Sequence, residues 1–294
     1  MSTGLPNREV KIAAVHIGLI LKSAGIPNLL FGWTGLALIF ADFGFPLIEF
    51  LVPNDQIADA TRAIEQAGHK LCSNPNCLEL QEDRGSALGD AIYRYHPIAD
   101  AHFHLSSGHL LSLFKQDDIL PHLPKLKHSC PEGKKNKNFI LSTDPRLPAR
   151  RTAADATRRP GPSGPWNDLP EVMVLNQRGH IEALLLLRCR DIDSKPAVDN
   201  MWRDMLWEIW QVSKPFRREC IRMPTGILQR CWWSYPEGQD NSLPEARQKF
   251  STDVYVRNSR DELVQQGEDP REKPTWLRKK LGNYAGKREP IKRR

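Results

Sequence analysis

The stretch Gly25-Ile26-Pro27-Asn28-Leu29-Leu30-Phe31-Gly32-Trp33-Thr34, followed further on by Leu47-Ile48-Glu49-Phe50-Leu51-Val52-Pro53, decides how the chain folds. Upstream of it, Val10, Ala13, Ala14, Ile17, Ile20 and Leu21 fall at helical spacing, so residues 8–24 read as a helix. Gly25 then stands where helices commonly turn left-handed and stop, and Pro27 prevents resumption. Residues 28–31, apolar from Leu29 onward, read as a short buried strand. Gly32 turns the chain, residues 34–40 read as a short helix, and residues 45–52 as a second apolar strand. Pro53-Asn54-Asp55 caps a further helix with Ile57, Ala60, Ile64 and Ala67 on one face and Gly68 after it. The result is α-β-α-β-α, the pattern of an α/β core running over residues 8–114.

Downstream the signals are shorter. Residues 69–72 and 77–80 read as small strands around the turn at 73–76, and residues 81–96 as a loop. Residues 100–105 and 110–114 read as two strands joined by Ser106-Ser107-Gly108, a sequence suited to a tight hairpin. A short helix begins at Asp117 and ends before Pro121 and Pro124. Residues 125–170 break the pattern: between Arg146 and Pro165 stand five Arg and four Pro with little to bury, the composition of a linker or excursion. Residues 171–193, 196–212 and 217–233 then read as helices, and little packed structure is expected after about residue 265.

The fold class expected is therefore α+β: a mixed sheet flanked by helices, then a helical C-terminal part, then a disordered basic tail. In segments, that is a core over 8–124, a linker over 125–170, a helical part over 171–235 and a tail over 266–294.

The charge of +7 is unevenly placed. Residues 271–294 hold ten Lys/Arg against two Glu, a net +8, which leaves the preceding 270 residues at −1. Basic character therefore belongs to the tail, and a nucleic acid or an acidic protein is the partner that residues 271–294 suit. Six cysteines with no dense pattern fit reduced thiols inside the cell, cytoplasmic or nuclear. Cys72 and Cys77 are spaced C-x4-C, but no second cysteine pair stands at metal-ligand spacing. Residues 23–41 carry no charge, yet Pro27, Gly32 and Gly35 interrupt them, so buried strands and a helix are expected there and no membrane span.

The chain resembles the nucleotidyltransferases of the polymerase-beta-like fold, and in particular a fungal family of nucleotidyltransferase-like proteins with a degenerate catalytic motif. The resemblance rests on Gly25-Ile26-Pro27, Phe50-Leu51-Val52-Pro53, Ala99-Asp100-Ala101-His102-Phe103-His104-Leu105, the segment Asp144-Pro145-Arg146-Leu147-Pro148 and residues 187–191, and covers about two-thirds of the chain. It implies a fold, with no particular activity attached. In such enzymes a small-residue turn after the first strand cradles phosphate at a helix N-terminus. The next strand carries two acidic residues one position apart for Mg²⁺, and a later strand a third. The resemblance puts Gly32, Trp33 and Thr34 at the turn, where they would touch substrate. It puts Glu49 at the second acidic position and Leu47 at the first. One carboxylate cannot replace two in holding Mg²⁺, which demands near-octahedral oxygen ligands.

At the third position Asp100, His102 and His104 stand at i, i+2 and i+4, which a strand would set on one face. With Glu49 nearby they would make a site for a divalent metal, with Glu49 and Asp100 as catalytic groups and His102 and His104 as ligands. Plain alternation, with Ala101, Phe103 and Leu105 packing inward, accounts for the same pattern. No G-x-S-x-G, Walker A, H-E-x-x-H or G-x-G-x-x-G occurs. Trp202, Trp207 and Trp210 at helical spacing read as core. The function expected is a binding or scaffold module on a nucleotidyltransferase fold that has lost standard catalysis, with an unidentified ligand for which a nucleotide is one candidate. The alternatives are an altered metal-dependent enzyme using Glu49, Asp100, His102 and His104, an active nucleotidyltransferase, and nucleic-acid binding through the tail.

Overall fold

The computed structural model describes residues 6–42, 46–83, 95–127, 138–151, 161–213, 245–266 and 269–271. Helix α1 (Pro6–Ser23) buries Val10, Ala14, Ile17 and Leu21 along one side. It closes as its sequence predicts: Gly25 takes φ +74°, and the Ile26 N–H reaches back to the Leu21 carbonyl at 2.9 Å. Strand β1 (Leu29–Phe31) follows, and α2 (Gly32–Ile39) starts on the very next residue. Strand β2 (Leu47–Val52) returns antiparallel to β1, and α3 (Ile57–Gln66) comes after it.

The hairpin forms as expected from β3 (Ala101–His104) and β4 (Leu110–Lys115), with Gly108 at φ +80° in the turn, and α4 (Gln116–Ile119) ends it. With β5 (Phe139–Leu141) and β6 (Met173–Leu175), the six strands lie in the order β3-β4-β2-β1-β6-β5. The sheet is mixed, since β2 pairs β4 and β1 pairs β6 in parallel.

In the sheet, two strands depart from expectation. The stretch read as linker supplies strand β5 (Phe139–Leu141), whose apolar triplet pairs with β6. The segment from 171 is not one helix. Met173–Leu175 form β6 beside β1, and α5 (Gln177–Asp191) begins only after Asn176, whose side chain accepts the Gly179 N–H at 2.8 Å. The apolar triplet and the helix's own apolar run merge in the sequence, and the N-cap is what separates them.

Helices α1 and α3 pack together on one face of the sheet; α2, α5 and α6 (Pro196–Ser213) cover the other, where Phe31 meets Trp202. Trp202 and Trp210 are fully buried, as the helical spacing implied, while Trp207 is half-buried against the same core. A further helix, α7 (Glu245–Gln265), packs on α5 through Val256 and Leu263. Arg188 clamps the three helices: it makes a two-pronged pair with Asp199 (2.9 and 3.0 Å) and reaches Asp253 at 2.6 Å. The helix expected over 217–233 and the basic tail from residue 272 lie outside the described residues. Among the described residues no helix is long and apolar enough to cross a membrane.

Candidate functional site

Adjacent strands place directly opposed side chains on one face. Phe31 lies opposite Glu49, Glu49 opposite Ser112, and Ser112 opposite His102. Glu49 and His102 thus share a transverse row on the α5–α6 face, with β4 between them. Two strand spacings separate their backbones by roughly 10 Å. The neighbour of Glu49 in that row is Ser112, and Leu47 is buried one pleat away.

Glu49 is itself buried, and its carboxylate turns toward β1. Oε2 accepts the Trp33 N–H at 3.2 Å, so the acid caps the N-terminus of α2. Gly32 is required there twice over. It takes φ +61°, and a Cβ on it would lie 1.6 Å from Glu49 Oε2. Trp33 and Thr34 are buried as well, and Thr34 Oγ1 donates to the Leu47 carbonyl. The space left between Trp33, Ala37, Val10 and Trp166 amounts to about 10 Å³, no more than one water. The three turn residues are therefore inside the protein, with an acid of the chain's own at the helix end where an external anion would sit.

Asp100 does not join His102 and His104. It precedes the strand, so alternation does not hold for it. Its Oδ2 accepts the Lys115 N–H at 2.9 Å and its Oδ1 pairs with the Lys115 ammonium, which lies on the α3 side. That carboxylate raises the Lys115 pKa. The two lie in a shallow depression of about 370 Å³ beside Thr61 and Glu65 of α3.

His102 and His104 instead meet two residues from a different segment. Leu71 bridges to Phe103 across the free edge of β3, and the Cys72 N–H donates to the His102 carbonyl at 3.0 Å. This register places Cys72 opposite His102, on the same face. A turn at Asn74, whose carbonyl accepts the Cys77 N–H, then brings Cys77 back. Cys77 Sγ lies 3.2 Å from His104 Nε2, and the two imidazoles are edge to face at 5.6 Å. One donor atom from each of Cys72, Cys77, His102 and His104 fits within 4.8 Å of the others. Burial pushes the Cys77 thiol up, a backbone hydrogen bond at Glu79 pulls the other way, and Cys72 beside it adds to the rise. The C-x4-C spacing and the His-x-His spacing were both visible in the sequence. What was missing was the single bridge that joins them, and the stretches at 69–72 and 77–80 are a lone bridge residue and a 3₁₀ turn, not strands.

No protein-family model matches this chain, and neither a curated protein nor a solved structure matches it.

Proposed function

We propose that this protein is a nucleotidyltransferase-fold binding or scaffold module in which standard nucleotidyl transfer has been given up. The observation that carries the proposal is the Glu49 carboxylate at the N-terminus of α2, hydrogen-bonded to the Trp33 N–H with no room for a Cβ at Gly32. An incoming phosphate would need the same N–H groups and would meet a negative charge already in place. The surroundings of Glu49 support the same conclusion. Leu47 and Ser112 stand where further carboxylates would be needed to chelate Mg²⁺ beside it. The partner surface then lies away from the Gly32 turn.

Full-length protein incubated with Mg²⁺, labelled ribonucleoside triphosphates and RNA, protein or small hydroxyl acceptors tests this. Wild type and Glu49→Gln should both stay at background. Mg²⁺-dependent transfer by the wild type that Glu49→Gln abolishes overturns the proposal.

A further inference from the structure

The geometry points to a structural zinc site formed by Cys72, Cys77, His102 and His104. The backbone already places three of the four. His102 and His104 alternate onto one face of β3, and the Leu71–Phe103 bridge sets Cys72 opposite His102 on that face. The turn at Asn74, in which Asn74 Oδ1 also accepts the Asn76 N–H at 3.0 Å, supplies Cys77 as the fourth.

The distances suit a small tetrahedral ion. Zinc bonds of about 2.3 Å to sulfur and 2.0–2.1 Å to nitrogen make a tetrahedron with edges of roughly 3.3–3.8 Å. The Cys77–His104 edge is already 3.2 Å, and the longest separation in the group is no more than 4.8 Å, a gap that a small side-chain rotation closes.

The donor chemistry selects the ion. Two thiolates and two imidazoles exclude Mg²⁺ and Ca²⁺, which take oxygen ligands, and favour Zn²⁺. Two thiolates also cancel the charge of the ion. A net-neutral cluster suits this location, where Cys77 and His102 are buried, Cys72 is half-buried and only His104 of the four is exposed. Four protein ligands close the coordination sphere, which is the mark of a structural site rather than a catalytic one. Its place in the fold explains the need. β3 is an outer strand of the sheet, and outside it the chain before Cys72 is tied to β3 by one bridge. A metal would fasten the strap of residues 71–77 over that open edge, which otherwise presents unpaired backbone groups. Neither Glu49 nor Asp100 belongs to the set.

The test is elemental analysis of full-length protein purified without a polyhistidine tag. Stoichiometric zinc is expected in the wild type and in Asp100→Asn, and loss to background in Cys77→Ser and His102→Ala. Loss in Asp100→Asn with retention in Cys77→Ser overturns the assignment. Because a ligand variant that loses zinc could also lose its fold, a second measurement uses the native chain. Zinc is removed by a chelator and replaced with Co²⁺. Visible d–d bands of tetrahedral cobalt and a thiolate-to-cobalt charge-transfer band are expected, with a lower unfolding temperature in the metal-free protein that added zinc restores. Wild type without zinc and without a cobalt spectrum, or with a Cys72–Cys77 disulfide in its place, overturns it.

Discussion

Replacing Gly32 by Ala should be among the most damaging single changes in the core, and the reason is specific enough to be measured. At φ +61° a residue with a Cβ costs about 1–2 kcal/mol from backbone strain alone. The new Cβ would also stand 1.6 Å from Glu49 Oε2, so the carboxylate must leave. It then gives up its hydrogen bond to Trp33 N–H, a bond to a charged group worth about 1.5–3 kcal/mol. The expected total is about 2.5–5 kcal/mol. Glu49→Ala alone leaves the buried Trp33 N–H without this acceptor and should cost about 1–3 kcal/mol. In the double variant no carboxylate remains to be displaced, so only the strain and the lost acceptor persist. The double variant should fall short of the sum of the singles by about 1–3 kcal/mol. Urea unfolding, followed by the fluorescence of the eight tryptophans, gives all four free energies. Additivity within about 0.5 kcal/mol would show that Gly32 and Glu49 do not meet and would refute the capped-turn geometry.

Truncating Arg188 to Ala strands the buried Asp199 and unties Asp253, and should cost about 3–5 kcal/mol in the same assay. A loss below about 1 kcal/mol, the range of surface pairs, would contradict the clamp between α5, α6 and α7. Burial lowers His180 to about 4 and His122 to about 3, so both stay neutral in the folded protein while the unfolded chain protonates near 6.5. The unfolded state therefore binds more protons below that pH. Stability should fall from about pH 6.5 toward pH 4, by up to about 1.4 kcal/mol per unit for each histidine. Asp199, whose carboxyl burial pushes up, works against this trend. Urea midpoints that do not move between about pH 7 and about pH 5 in the wild type, or that move equally in His180→Leu, would contradict the histidine contribution. The transfer assay on Glu49→Gln and the zinc measurements complete the set.

Much of the local structure was legible. A helical period with Gly25 and Pro27 behind it located α1, and short, largely apolar runs located β1 and β2. The hairpin showed in its alternation and in Gly108. The three-residue strands β5 and β6 were not legible, because three residues carry no period and become strands only by pairing with a neighbour.

The site divides along the same line. The family resemblance pointed to Gly32 and Glu49, while residue types and spacings singled out His102 and His104 and noted the Cys72–Cys77 pair. Their relations came from pairing between distant segments. The strand order puts β4, and hence Ser112, between Glu49 and His102. The pleat begins one residue too late to carry Asp100 with the histidines, so Asp100 turns to Lys115. One bridge across the edge of β3 brings two cysteines to two histidines that follow them by 27 and 30 residues in the chain. By itself the sequence determined the longer elements and the chemical character of each side chain, since propensity and period act over a few residues. Which side chains meet was decided by strand order and register, and those follow from burying the whole sheet between two helical layers, a property that no local window contains.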